Sequence, residues 1–261
     1  MSRTLTVATL FPLATVAAAD EANASALVRR GAARDLTVET VTVDRADSFV
    51  GADVYLVGGT GRGGVAALVE ALTSTDLAAR VADGAVVLAV DAGLDAIARS
   101  WVDPSGARHQ GLGLAPLTVH SAPEVTGTVV TRPDASLDLP ALIGWEANDL
   151  RTVREDDARA LFTLEVGAGN RTDEAVGETS EGVLAGSVIG TRLHGPLLAL
   201  NPELADLVLA RATQRSEQWP ALESPAVDRA RRERIAEARR TAPKAEWRSR
   251  LPGPVAARLR R

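Results

Sequence analysis

Val86-Val87-Leu88-Ala89-Val90 runs directly into Asp91-Ala92-Gly93-Leu94. Five consecutive apolar residues are what a strand buried on both faces requires. The stretch that follows, 92–101, reads as a helix. A buried strand, an abrupt corner and a helix with a small residue and a glycine just past the corner make a nucleophile elbow. Such a turn presents a catalytic hydroxyl or thiol. Here the corner residue is Asp91, and the chain of 261 residues contains no cysteine. Disulfides, thiolate metal sites and a cysteine nucleophile are therefore excluded.

Working outward, strand-like runs recur with helical stretches between them. Thr4 to Leu10 is apolar and β-branched. Leu36 to Val43 alternates with period two, as a half-exposed edge strand does. Val54 to Val57 ends in Gly58-Gly59. Helical intervals fall at about Asn23 to Ala33, Gly64 to Val81 and Ala92 to Trp101. This rhythm predicts a three-layer α/β fold of flavodoxin-like type around a mostly parallel sheet.

The second half predicts shorter strands at Val125–Thr131, Ala141–Glu146, Ala160–Val166 and Gly182–Ile189, in an antiparallel or mixed extension. Pro202 to Thr213 reads as an amphipathic helix with Pro202 at its first position and Asn201 as its N-cap. Residues 1–215 are expected to form one domain, and 216–261 a basic, helix-prone extension. From Pro225 onward there are twelve basic residues against four acidic ones. Such a run reads first as a solvated face. Its functional reading is peripheral contact with an anionic membrane or an acidic partner, with Val227, Ile235 and Trp247 as apolar anchors.

Composition narrows the function. A net charge of −5 argues against a dedicated nucleic-acid binder. Three histidines and no cysteine leave little for a metal site, so none is expected. No run approaches the roughly 20 apolar residues of a membrane span. The N-terminal stretch has the look of a short signal peptide, but Thr4 to Leu10 reads as a strand and Pro12 interrupts any apolar helix. The expected location is the cytoplasm.

Two further elements carry chemistry. Gly58-Gly59-Thr60-Gly61 follows a strand, where bare backbone N–H groups can hold an anion or an oxyanion. It fits neither the dinucleotide fingerprint nor the phosphate loop. Ile189-Gly190-Thr191-Arg192-Leu193-His194-Gly195-Pro196 places a histidine at a Gly-Pro corner after an apolar strand.

Elbow, glycine turn and histidine corner, in this order, resemble the class I glutamine amidotransferases. The resemblance is to the CobB/CobQ-like branch and, within it, to the GatD family of glutaminase subunits of lipid II isoglutaminyl synthase. It spans roughly Thr4 to Arg211. Ile189 to Leu207 is similar to that family's histidine motif, and Val86 to Trp101 to its elbow. Gly144 to Thr152 keeps Gly144, Glu146, Arg151 and Thr152 of a further motif, while Asp20 and Asn23 fall where the family has an N-terminal one. In the family a cysteine attacks the glutamine side-chain amide, a histidine serves as acid and base, and backbone N–H groups hold the oxyanion. Ammonia passes to MurT, an ATP-using, Mur-ligase-like partner that amidates the lipid II stem peptide. The resemblance thus implies His194 as base, Gly58, Gly59 and Ala92 as oxyanion and substrate-binding positions, and Arg151 as a substrate-binding position. It puts Asp91 where the nucleophile belongs and implies no cofactor.

Asp91 is a poor replacement. A carboxylate attacking an amide would form an anhydride while expelling an amine, a strongly uphill step; carboxylate nucleophiles act at saturated carbon or phosphorus. Asp95 also stands where the family has a substrate-binding glutamine, and Thr60 replaces a glycine. Asp91 and His194 are expected to form an ion pair that plugs the old site. Three functions stay open: a catalytically silent GatD-like subunit bound to a MurT-like ligase, a glutaminase using glutamine by an unusual mechanism, and a small-molecule binding module with Arg151 as carboxylate clamp.

Overall fold

The computed structural model describes residues 4–12, 17–58, 62–155, 158–171, 179–215 and 219–242. Its first sheet has the strand order β11-β12-β4-β3-β1-β2. These strands are β1 (Thr4–Leu10), β2 (Thr37–Val43), β3 (Val54–Val57), β4 (Val86–Val90), β11 (Val183–Ala185) and β12 (Val188–Thr191). All pairings are parallel except β11 with β12. Every residue of β3 and β4 is buried, as their unbroken apolar runs require, whereas β2 at the edge alternates with solvent.

Helices α1 (Ala17–Ala32), α5 (Leu197–Leu200) and α6 (Pro202–Ala212) cover one face of this sheet. Helices α2 (Val65–Thr73), α3 (Leu77–Ala82) and α4 (Ala92–Ile97) cover the other. The sheet is thus sandwiched between two apolar layers, the three-layer arrangement expected of its βαβ rhythm.

A second sheet, mostly antiparallel, has the order β10-β9-β7-β5-β6, with β8 on β7. It comprises β5 (Ser100–Val102), β6 (Arg108–Gln110), β7 (Leu117–Thr131), β8 (Ile143–Arg154), β9 (Phe162–Val166) and β10 (Ser180–Glu181). Two readings are corrected here. The helix expected to reach Trp101 stops at Ile97, because Ser100–Val102 pairs with β6 and β7. The strand expected over Gly182–Ile189 is a tight hairpin whose second arm enters the parallel sheet beside β4.

Asn201 takes the N-cap position of α6 as expected, ahead of Pro202, but makes no side-chain capping bond. Its amide instead accepts from the Ile143 N–H at 3.0 Å and donates to the Ile143 and Leu197 carbonyls at 2.8 Å each. Within the basic extension, helix α7 (Pro225–Thr241) packs Ile235 and Ala238 against Val130 and Ile143. Arg231 pairs with Glu203, and Arg239 with Glu165 at 2.7 Å. Of the expected apolar anchors Ile235 is buried and Val227 half-buried; Trp247 lies outside the described residues.

Candidate active site at the Asp91 corner

Asp91 adopts φ 52° and ψ −113°, a strained conformation of the kind a nucleophile elbow imposes. The Asp91 N–H donates to the Thr191 carbonyl at 2.8 Å, and the Asp91 carbonyl accepts from the Leu94 N–H at 2.9 Å, which starts α4. Gly93 is needed at its position: a Cβ there would lie 2.0 Å from the Val57 carbonyl oxygen. That contact presses the start of α4 onto the end of β3, so Gly58 stands beside the elbow. Ala92 is buried at the helix's first position. Gly59 lies outside the described residues, as do Thr60 and the side chain of Asp20.

The histidine corner reaches the same end of the sheet because β12 is parallel to β4, with Thr191 opposite Val90. The chain then turns at Gly195 (φ 90°) and Pro196 into α5. The His194 N–H donates to the Trp145 carbonyl at 3.0 Å. Asn23, buried in α1, accepts from the Leu198 N–H at 3.0 Å and fixes the helix that follows. Gly144 sits under Leu193, where a Cβ would approach Leu193 Cβ to 2.9 Å.

No hydrogen bond or ion pair joins the Asp91 and His194 side chains, so the expected plug does not form. Their attraction acts through space. Burial pushes the Asp91 carboxyl above its usual range and Asp95 adds to this; the Arg192 and His194 charges and the Ala92 amide oppose it without prevailing. Negative charge at this corner is thus less favoured than on an ordinary carboxylate.

Behind the corner lies a buried polar network that the sequence reading overlooked. Arg192 donates to Asp95 at 2.6 Å and to the Thr152 hydroxyl at 3.1 Å. Glu181 accepts from the Arg192 N–H at 2.6 Å and from the Thr191 hydroxyl at 2.9 Å. Burial pushes the Glu181 carboxyl up to about 7; those two donors pull it down and nearby Glu146 pushes it up. Glu146 accepts from the Ala168 and Gly169 N–H groups at 2.6 and 2.9 Å, and the Asn170 amide exchanges two hydrogen bonds with Gly182. Arg192 and Glu181 left one signal in the sequence: each is a charge inside an otherwise apolar or small-residue run, and the two are opposite in sign.

Arg151 is not brought to the corner. On β8, Thr152 points inward to Arg192, so Arg151 lies on the opposite face, across from His120 of β7. The strand period carried this information, since Glu146 and Thr152 share a parity that Arg151 lacks.

An elbow on a parallel sheet, a glycine at the neighbouring strand end and a histidine corner beside it meet at one end of the sheet. The chain belongs to the CobB/CobQ-like glutamine amidotransferase domain family, which matches residues 19–202. It is 27% identical over 201 residues to the subunit GatD of the glutamine-hydrolyzing lipid II isoglutaminyl synthase of Staphylococcus aureus (strain N315). That match spans 75% of this chain and 79% of the relative. It is 31% identical over 143 residues, 53% of each chain, to the subunit of the same name from Streptococcus pneumoniae (strain ATCC BAA-255 / R6). A crystal structure of a glutamine amidotransferase superposes with a TM-score of 0.57 at 18% identity, over 79% of this chain and 98% of that one, a likeness of fold.

Proposed function

We propose that this chain is a GatD-like subunit of a lipid II isoglutaminyl synthase, associated with a MurT-like Mur ligase in amidation of the peptidoglycan stem peptide. In this reading it no longer hydrolyses glutamine and serves its partner as a scaffold or regulator. Such a partner uses ATP, which places the pair in the cytoplasm; among the described residues no helix is long and apolar enough to cross a membrane.

One observation carries the reading. The elbow is intact in its backbone, with Asp91 at φ 52°, yet its side chain is a carboxyl in place of a thiol, in surroundings that disfavour negative charge. Asp95, at the family's glutamine-binding position, is also committed to Arg192. A scaffold kept while its nucleophile position and a substrate-binding position are rewritten fits a binding role better than a tuned hydrolase. The displacement of Arg151 from the corner removes the clamp on which the small-molecule reading rested.

The test is ammonia release from glutamine by the purified chain, alone and with the MurT-like subunit. Background release in both, together with stable co-elution of the two proteins, is the expected result. Release that disappears in Asp91→Ala would instead establish an active glutaminase.

A further inference from the structure

We infer that the outer face of the β7–β8 pair is the surface on which the ligase subunit docks, an inference that rests on the function proposed above. Strand alternation puts Ile143, Trp145, Ala147 and Arg151 on one side of β8, opposite Val130, Thr128, Thr126 and His120 of β7. Helix α7 packs on Ile143 and Val130 at one end of this face. Beyond it Trp145 is 43% exposed, one of two large apolar side chains among the described residues that face solvent to this degree. From Trp145 to Arg151 the strand spans about 20 Å, a length that suits a standard footprint of about 800 Å² per partner.

Among the described residues, the far end of the face is positive. Arg108 donates to the Ser100 hydroxyl at 2.6 Å and approaches His120 Nδ1 at 3.0 Å, while Thr118 meets Nε2 at 3.2 Å. Burial and the charges of Arg108 and Arg151 hold the His120 imidazole below its usual range, which favours the neutral ring. Nδ1 then accepts from Arg108. The Arg151 guanidinium has no hydrogen-bond or ion-pair partner among the described residues. Glu155, the acid nearest His120, is taken by Arg99 at 2.5 Å, and Asp149 between the two ends already has a partner. Two arginines that converge on His120, with no free counter-charge among the described residues, call for an acidic patch on whatever covers them.

The near end ties this face to the corner. Trp145 holds the His194 N–H through its own carbonyl, so a partner seated on its indole rests on the strand that anchors the histidine corner. An apolar anchor at one end and two arginines at the other are the side-chain types that dominate binding energy. The occupant is therefore a ligase surface with an indole-accepting pocket about 20 Å from an acidic patch.

The experiment measures binding of the full chain to the purified MurT-like subunit of the same cell, by calorimetry at low and high salt. Trp145→Ala and Arg151→Glu are each expected to weaken binding tenfold or more, with unchanged thermal midpoints. The Arg151→Glu loss should shrink as salt rises. Val50→Ala, at the other exposed apolar side chain, should leave binding unchanged. Arg151 is half-buried but holds no hydrogen bond or ion pair among the described residues, so that variant remains informative if Trp145→Ala folds poorly. Wild-type binding that neither substitution weakens overturns the docking face and leaves the proposed function standing. Absence of wild-type binding overturns the proposed function, and the docking face with it.

Discussion

Asp95 and Arg192 form an ion pair at 2.6 Å in which both side chains are almost wholly shielded from solvent. Arg192 is the largest fully buried side chain among the described residues, and Asp95 supplies its counter-charge from the first turn of α4. Removing one member of such a pair strands the other. Asp95→Asn is expected to destabilise the chain by about 3–5 kcal/mol. Asp95→Leu combined with Arg192→Met should lose much less than the two single changes added together. Urea unfolding of the four proteins checks this; simple additivity would show that the pair is not coupled.

Asp91→Cys restores the family's nucleophile in a chain with no other thiol. The surroundings that raise the Asp91 carboxyl disfavour negative charge at this corner, so they should disfavour a thiolate as well. The thiol is expected to titrate at or above the ordinary value of about 8.5, and ammonia release should stay at background. The pH dependence of iodoacetamide labelling reads the titration directly. A midpoint well below the ordinary value would mean that Arg192 and His194 still activate this position.

Glu181 gives stability an unusual pH slope. Its carboxyl titrates at about 7 in the fold against an ordinary 4.5. Between these values the folded chain holds a proton that the unfolded chain has released. Folding is therefore favoured most below pH 4.5, and the contribution, about 3 kcal/mol, is lost as pH rises through 7. Carboxylates lowered by partners, such as Asp134, slope the other way. The difference between wild type and Glu181→Gln cancels them. Wild type should lose stability relative to this variant from pH 5 to pH 8 in thermal unfolding; parallel curves would count against the assignment.

Gly93→Ala tests the seam between elbow and glycine turn. The added methyl would meet the Val57 carbonyl at 2.0 Å, backbone against backbone, with no flexible side chain to yield. A loss of about 3 kcal/mol is expected. A thermal midpoint equal to wild type would show that α4 can shift away from β3.

The parallel sheet was legible because apolar runs such as Val86–Val90 have one physical solution in a chain of this size. Asp91, Gly58 and His194 were legible because corners and glycines at strand ends mark where a ligand can approach. The helix end at Ile97 was not, since Ala98 to Trp101 continues an acceptable helical composition until strand pairing claims it. The N-cap position of Asn201 was legible from local spacing, but the engagement of its side chain by distant Ile143 was not. The Asp95–Arg192 pair was hidden because its members are distant in sequence and meet only through the packing of β12 on β4.

The backbone at Asp91 has a consequence for tolerance to change. A corner of this kind holds about 1–3 kcal/mol of conformational strain, which chemistry at an exposed nucleophile would justify. Glycine relaxes there at no steric penalty, so a chain released from hydrolysis keeps an untapped reserve of robustness at one position. Its stability ceiling lies above where the native residue leaves it.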